Sequence, residues 1–103
     1  MSTLAVDEAL LARIRADAEA AERDRRLSAA TVAGLSEGGV LRALVPATVG
    51  GGEAHPAELR AAIEAIAAAD GAAGWIAAVS STAGLAAAHL EERDARELFA
   101  PGA

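Results

Sequence analysis

From Gly71 to His89 the chain carries no charged side chain. The stretch reads GAAGWIAAVSSTAGLAAAH, with Asp70 before it and Glu91-Glu92 following Leu90. A helix that is uncharged all round must be covered all round, and a chain of 103 residues has little material for that. The expectation is a central helix whose neighbours are partly supplied from outside this chain. Its length is close to the ~20 residues that cross a bilayer. Its interior, however, is mostly Ala, Gly, Ser and Thr, and both flanks are acidic with no nearby Lys/Arg bias, so no membrane insertion is expected.

The rest of the composition points the same way. Residues classed as hydrophobic make up 53% of the chain, but 31 of them are alanine. The large apolar side chains are Leu, Val and Ile together with Trp75 and Phe99. Burying one large side chain stabilises by roughly 1.5–3 kcal/mol, whereas alanine contributes mainly helix propensity. Helices should form readily around a thin core, as one small domain or one piece of a larger one.

Net charge is −6, and all nine basic residues are arginine. Arg23, Arg25 and Arg26 cluster, but among Glu19, Glu22 and Asp24. Without a basic stripe to displace counterions, no nucleic-acid partner is expected. The absence of cysteine excludes disulfides, thiolate chemistry and cysteine-ligated metals. Asp7 and Glu8 stand where a signal peptide would need positive charge, so a cytoplasmic location is expected.

Apolar spacing and punctuation predict five helices and no strand. The first spans about Leu4 to Arg26, with Leu10, Leu11, Ile14, Ala18 and Ala21 on one stripe. Arg13–Asp17, Arg15–Glu19, Glu19–Arg23 and Glu22–Arg26 are expected to pair on its outer face. Ser28 caps a second helix carrying Val32 and Leu35, which Gly38-Gly39 end. Val40, Leu41, Leu44 and Val45 form a short apolar segment before Pro46 and the Gly50–Gly52 loop. A third helix starts at Pro56 with His55 as its cap, a stripe of Leu59, Ile63 and Ile66, and an outer Arg60–Glu64 pair. Asp70 closes it and caps the uncharged fourth helix. Glu91-Glu92 open a fifth, with Glu92–Arg96 and Arg93–Glu97 pairs, apolar contact from Leu98 and Phe99, and a stop at Pro101-Gly102. The fold class is all-α, a five-helix up-and-down orthogonal-type bundle.

Residues that could carry chemistry are few. His55 and His89 lack a carboxylate or second histidine at metal-ligand spacing and read as a helix cap and a helix end, so no metal site is expected. The Gly50–Gly52 run lacks the Lys-Ser/Thr ending of a phosphate-binding loop and reads as a turn. Ser80, Ser81 and Thr82 point in different directions on one helix. Each either bonds back to a carbonyl one turn earlier or faces a cavity at the helix midpoint. Trp75 either walls the same cavity or belongs to the core, where its indole N–H needs a partner.

The succession DRRLSAATVAGLSEGGVLRALVPATVGGGEAHPAELRAAIEAIAAADGAAGW resembles the N-terminal helical domain of the acyl-CoA dehydrogenase family of flavoproteins. The arginine-rich exit Asp24–Arg26, Gly38-Gly39-Val40-Leu41-Arg42, Leu44-Val45-Pro46, Gly50-Gly51, and Glu64 through Asp70 to Trp75 carry the likeness. The step from Asp70 to Trp75 is closer to the branch containing flavin-dependent hydroxylases than to the fatty-acyl dehydrogenases.

The resemblance implies that residues 1–103 form a single N-terminal-type domain, cut before a middle β-domain and a C-terminal helical domain. It implies FAD or FMN in the full-length enzyme, held mainly by those missing domains and across a subunit interface, and a small-molecule substrate. For this chain alone it implies no bound cofactor, no catalytic residue and no activity. Trp75, Ser80, Ser81 and Thr82 would then line the substrate cavity. Two other readings stand beside it. A non-enzymatic module could homodimerise through Gly74, Ala78, Ala83, Gly84 and Ala87, and a complete small enzyme could hold a pocket at Ser80–Thr82.

Overall fold

The computed structural model describes residues 4–99. Among these, the elements are five α-helices and no strand. They are α1 (Glu8–Asp24), α2 (Ala29–Glu37), α3 (Pro56–Ala69), α4 (Gly71–Ala83) and α5 (Glu92–Phe99), with 3₁₀ turns at Ala47–Val49 and Gly84–His89. The molecule is flat, about 40 × 26 × 17 Å.

Local chemistry fixes most of the boundaries. The Ser28 side chain accepts from the Thr31 N–H at 3.1 Å and caps α2. His55 Nδ1 accepts from Ala57 N–H at 3.1 Å ahead of Pro56, and Asp70 accepts from Ala73 N–H at 3.2 Å to start α4. Gly39 takes the left-handed conformation (φ 80°) where the chain leaves α2, a position that favours glycine.

The main core joins Leu10 and Ile14 of α1, Leu35 of α2, Val40, Ile66 of α3, and Ala73 and Ala77 of α4. A second cluster holds Val45, Val49, Ala87 and Ala95, with Phe99 packed against it, and so ties α5 to the two 3₁₀ turns. Helices α3 and α4 lie closest together. A Cβ built at Gly74 would stand 2.5 Å from the Ala67 Cβ, so only glycine permits this approach. Arg42 crosses the loop to donate to the Gly50 carbonyl, and Ala54 N–H reaches the Ala43 carbonyl at 2.7 Å.

Several details depart from the sequence expectations. Helix α1 starts at Glu8 because the Asp7 carboxylate accepts from Leu10 N–H at 2.9 Å, while Ala5 N–H bonds the Gly38 carbonyl at 2.8 Å. It ends at Asp24 because Arg25 turns left-handed (φ 58°). The four i,i+4 pairs expected on α1 do not form. Arg15 pairs with Glu8 and Arg23 with Asp24, while Asp17 accepts from the hydroxyls of Ser28 (2.8 Å) and Thr31 (3.1 Å). A buried-edge carboxylate with two hydroxyl donors outcompetes a solvated pair. The Arg60–Glu64 and Glu92–Arg96 pairs form, but Arg93 turns to Asp94 instead of Glu97.

On α2 it is Thr31, not Val32, that joins Leu35 inside, because Asp17 draws its hydroxyl inward. Leu98 is exposed, and Ala95 with Phe99 makes the contact of α5. The uncharged helix is α-helical only to Ala83 and tightens at Gly84, where a Cβ would meet Val45 Cγ2 at 2.9 Å. Residues 1–3 and 100–103, including the expected Pro101-Gly102 stop, lie outside the described residues.

Candidate functional site

Helix α4 is covered on one side only. Ala73, Gly74, Ala77 and Ser81 are buried, and these positions recur at the three- and four-residue spacing of a single face. The opposite arc, roughly 120° wide by helical geometry, is open. It carries Ala72, Trp75, Ile76, Val79, Thr82 and Ala83. Trp75 is 70% exposed, Val79 48% and Ile76 40%, on a helix with no charged residue from end to end. Large contiguous apolar patches on a surface are characteristic of interaction and ligand-binding sites in general. By length and composition Gly71–His89 also passes as a possible membrane span, but its inner face belongs to the chain's own core, and the α-helix stops at Ala83.

At its N-terminal end the open face meets the exit of α1. A groove of about 260 Å³ is lined there by Arg25, Arg26, Leu27, Ala72, Trp75 and Ile76. Ala21 and Glu22 complete the lining, so apolar side chains stand there beside two arginines and one carboxylate.

The four residues singled out in the sequence divide between the two sides. Trp75 and Thr82 stand on the open face. Thr82 Oγ1 donates back to the Ala78 carbonyl at 2.8 Å, with the Val79 carbonyl at 3.1 Å. Ser81 lies on the packed face with no exposure, and its Oγ donates to the Ala78 carbonyl at 3.2 Å. Ser80 is half-buried at the edge between the faces. None of these hydroxyls has a histidine or carboxylate beside it among the hydrogen bonds of the described residues, so the face offers no activated nucleophile.

Ile76 and Val79 belong to the open face and were not singled out in the sequence. Their signal was available, since Val79 is one turn from Trp75 and from Thr82. Three of the small residues considered for helix–helix association, Gly74, Gly84 and Ala87, pack within the chain, while Ala83 is exposed and Ala78 half-buried.

From Gly71 to His89 there is no Lys or Arg to meet a flavin phosphate, and the cations beside the face are Arg25 and Arg26 in the groove at its N-terminal end. Among the described residues no cluster of three His, Cys, Asp or Glu side chains could hold a metal ion.

The acyl-CoA dehydrogenase N-terminal domain model matches residues 3–98. Indole-3-acetate monooxygenase of Pseudomonas putida is 44% identical to the chain over 87 residues, which is 82% of this chain and 22% of that protein. The chain therefore spans about a fifth of the length of this relative. The all-α fold, the residues carrying the likeness and the family match over nearly the whole chain agree, and the chain belongs to the acyl-CoA dehydrogenase family as an N-terminal domain of that family.

Proposed function

We propose that this chain acts as the N-terminal substrate-cavity domain of a flavin-dependent oxidoreductase of the hydroxylase type. The observation that carries the reading is the open arc of α4, where Trp75, Ile76 and Val79 are held toward solvent on a helix with no charge. In this reading the face is one wall of a cavity whose other walls, together with the FAD or FMN site, come from further domains or another subunit. The likeness to a relative named for indole-3-acetate supports a small aromatic substrate and favours the oxygenating branch over acyl-thioester dehydrogenation. Bound flavin would supply the redox chemistry. This chain's residues would exclude water, present an apolar surface to the substrate and orient its polar edge. Alone, the domain is expected to be inactive, and it is expected to work in the cytoplasm.

A chimera tests this reading. The matching N-terminal segment of the Pseudomonas putida relative is replaced by this chain. Flavin retention with oxygen consumption that depends on an aromatic substrate supports the proposal. A folded, flavin-loaded chimera without substrate-dependent oxygen consumption contradicts it. The same exposed face could serve a self-associating module, and sedimentation of the chain over a range of concentrations separates the two, since only the module dimerises cooperatively through α4.

A further inference from the structure

We infer that Thr82 is a specificity-determining hydrogen-bond acceptor on the α4 face, selecting a flat aromatic ligand that offers an N–H or O–H donor. The inference rests on the reading of α4 as a cavity wall. Trp75, Val79 and Thr82 follow one another at i, i+4 and i+7 on the open arc, so the positions of Trp75 and Thr82 bound a strip of about 10 Å along the helix axis. That length suits a fused two-ring aromatic lying over Val79, with one edge at each end.

The polarity at the Thr82 end follows from its own hydrogen bond. A threonine hydroxyl has one proton and two lone pairs. Here the proton points back to the Ala78 carbonyl at 2.8 Å, with the Val79 carbonyl at 3.1 Å. The exposed side of the oxygen therefore presents lone pairs and accepts rather than donates. Ser81 cannot take this part, being fully buried with its proton on the same Ala78 carbonyl. No charged side chain occurs on the strip, and Glu22, Arg25 and Arg26 line the groove at the Trp75 end. Trp75 and Val79, the neighbours of Thr82 on the strip, offer no hydrogen-bond acceptor of their own.

The test uses the full chain with indole and 1-methylindole, which share a shape but differ in the N–H donor. Trp75 is the sole tryptophan, so its single indole N–H resonance in ¹H–¹⁵N NMR reports occupancy directly. The affinity ratio of the two probes is measured in the wild type, in T82V and in T82S. Because each ratio is taken within one protein, the greater hydrophobicity of the N-methyl group cancels between variants. T82V is expected to move the ratio about threefold against indole, the size of one modest net hydrogen bond, while T82S keeps the wild-type ratio. An unchanged ratio in all three proteins overturns the role of Thr82 and leaves the cavity-wall reading standing. A Trp75 resonance that responds to neither probe likewise overturns the role of Thr82, while the cavity-wall reading stands or falls with the chimera.

Discussion

Gly74 on α4 lies so close to Ala67 on α3 that a Cβ at position 74 would stand 2.5 Å from the Ala67 Cβ and 2.7 Å from its Cα. This contact fixes the rotation of α4 about its own axis. It turns Ala73, Ala77 and Ser81 into the core and leaves Trp75, Val79 and Thr82 outside.

Gly74→Ala should therefore destabilise the chain by about 1–3 kcal/mol, because the backbone of α3 must move and the added helix propensity of alanine is smaller than that strain. Gly71→Ala is the matched control. A Cβ there meets nothing within 4 Å, and the backbone is not left-handed. It should stabilise by roughly 0.4–1 kcal/mol. Urea unfolding of the two variants beside the wild type gives the comparison.

The seam between α1 and α2 depends on one carboxylate oxygen. Asp17 Oδ2 accepts from Ser28 Oγ at 2.8 Å and from Thr31 Oγ1 at 3.1 Å, while Ser28 also caps α2. Ser28→Ala should cost about 1–2 kcal/mol, as loss of a helix cap does. Ser28→Thr should retain most of the stability. Ser28→Asp, usually an excellent cap, should fall below Ser28→Thr here because its carboxylate would face that of Asp17. Chemical denaturation ranks the three.

Exposure and burial on the same helix pair predict opposite behaviour. Trp75→Ala should change stability by less than about 0.5 kcal/mol, as for a surface position. Ile66→Ala on the facing helix, where the side chain has no exposure, should cost about 2–5 kcal/mol. Acrylamide should quench the fluorescence of Trp75 almost as fully in the folded chain as in urea, since the side chain is 70% exposed.

Much of the fold was legible because its signals are local. Ser28, His55 and Asp70 stop or start helices through hydrogen bonds to residues two or three positions away, and sequence spacing reports such contacts directly. Asp7 was not legible as a cap, since Leu4, Ala5 and Val6 before it continue the apolar, helix-compatible run. The ion pairs of α1 were misread for an energetic reason. Exposed i,i+4 pairs contribute only a few tenths of a kcal/mol, too little to hold Asp17 against two hydroxyls on another helix. The facing of α4 was the hardest feature, because a helix without charge has no polar side to orient it. Gly74 and Gly84 held the missing signal. Both permit close approach to the chain's own Ala67 and Val45, so the side away from them is the one left open.

The most direct test of the open α4 face is substrate-dependent oxygen consumption by the chimera carrying this domain, compared across Trp75→Ala, Val79→Ala and Val32→Ala. Val32 is 42% exposed on α2, similar in exposure to Val79 but away from α4. The account predicts that Trp75→Ala and Val79→Ala lower turnover at least about tenfold, the effect of roughly 1.4 kcal/mol, with the unfolding midpoint of the chain unchanged and Val32→Ala neutral. Turnover in the two α4 variants as high as in Val32→Ala would contradict it.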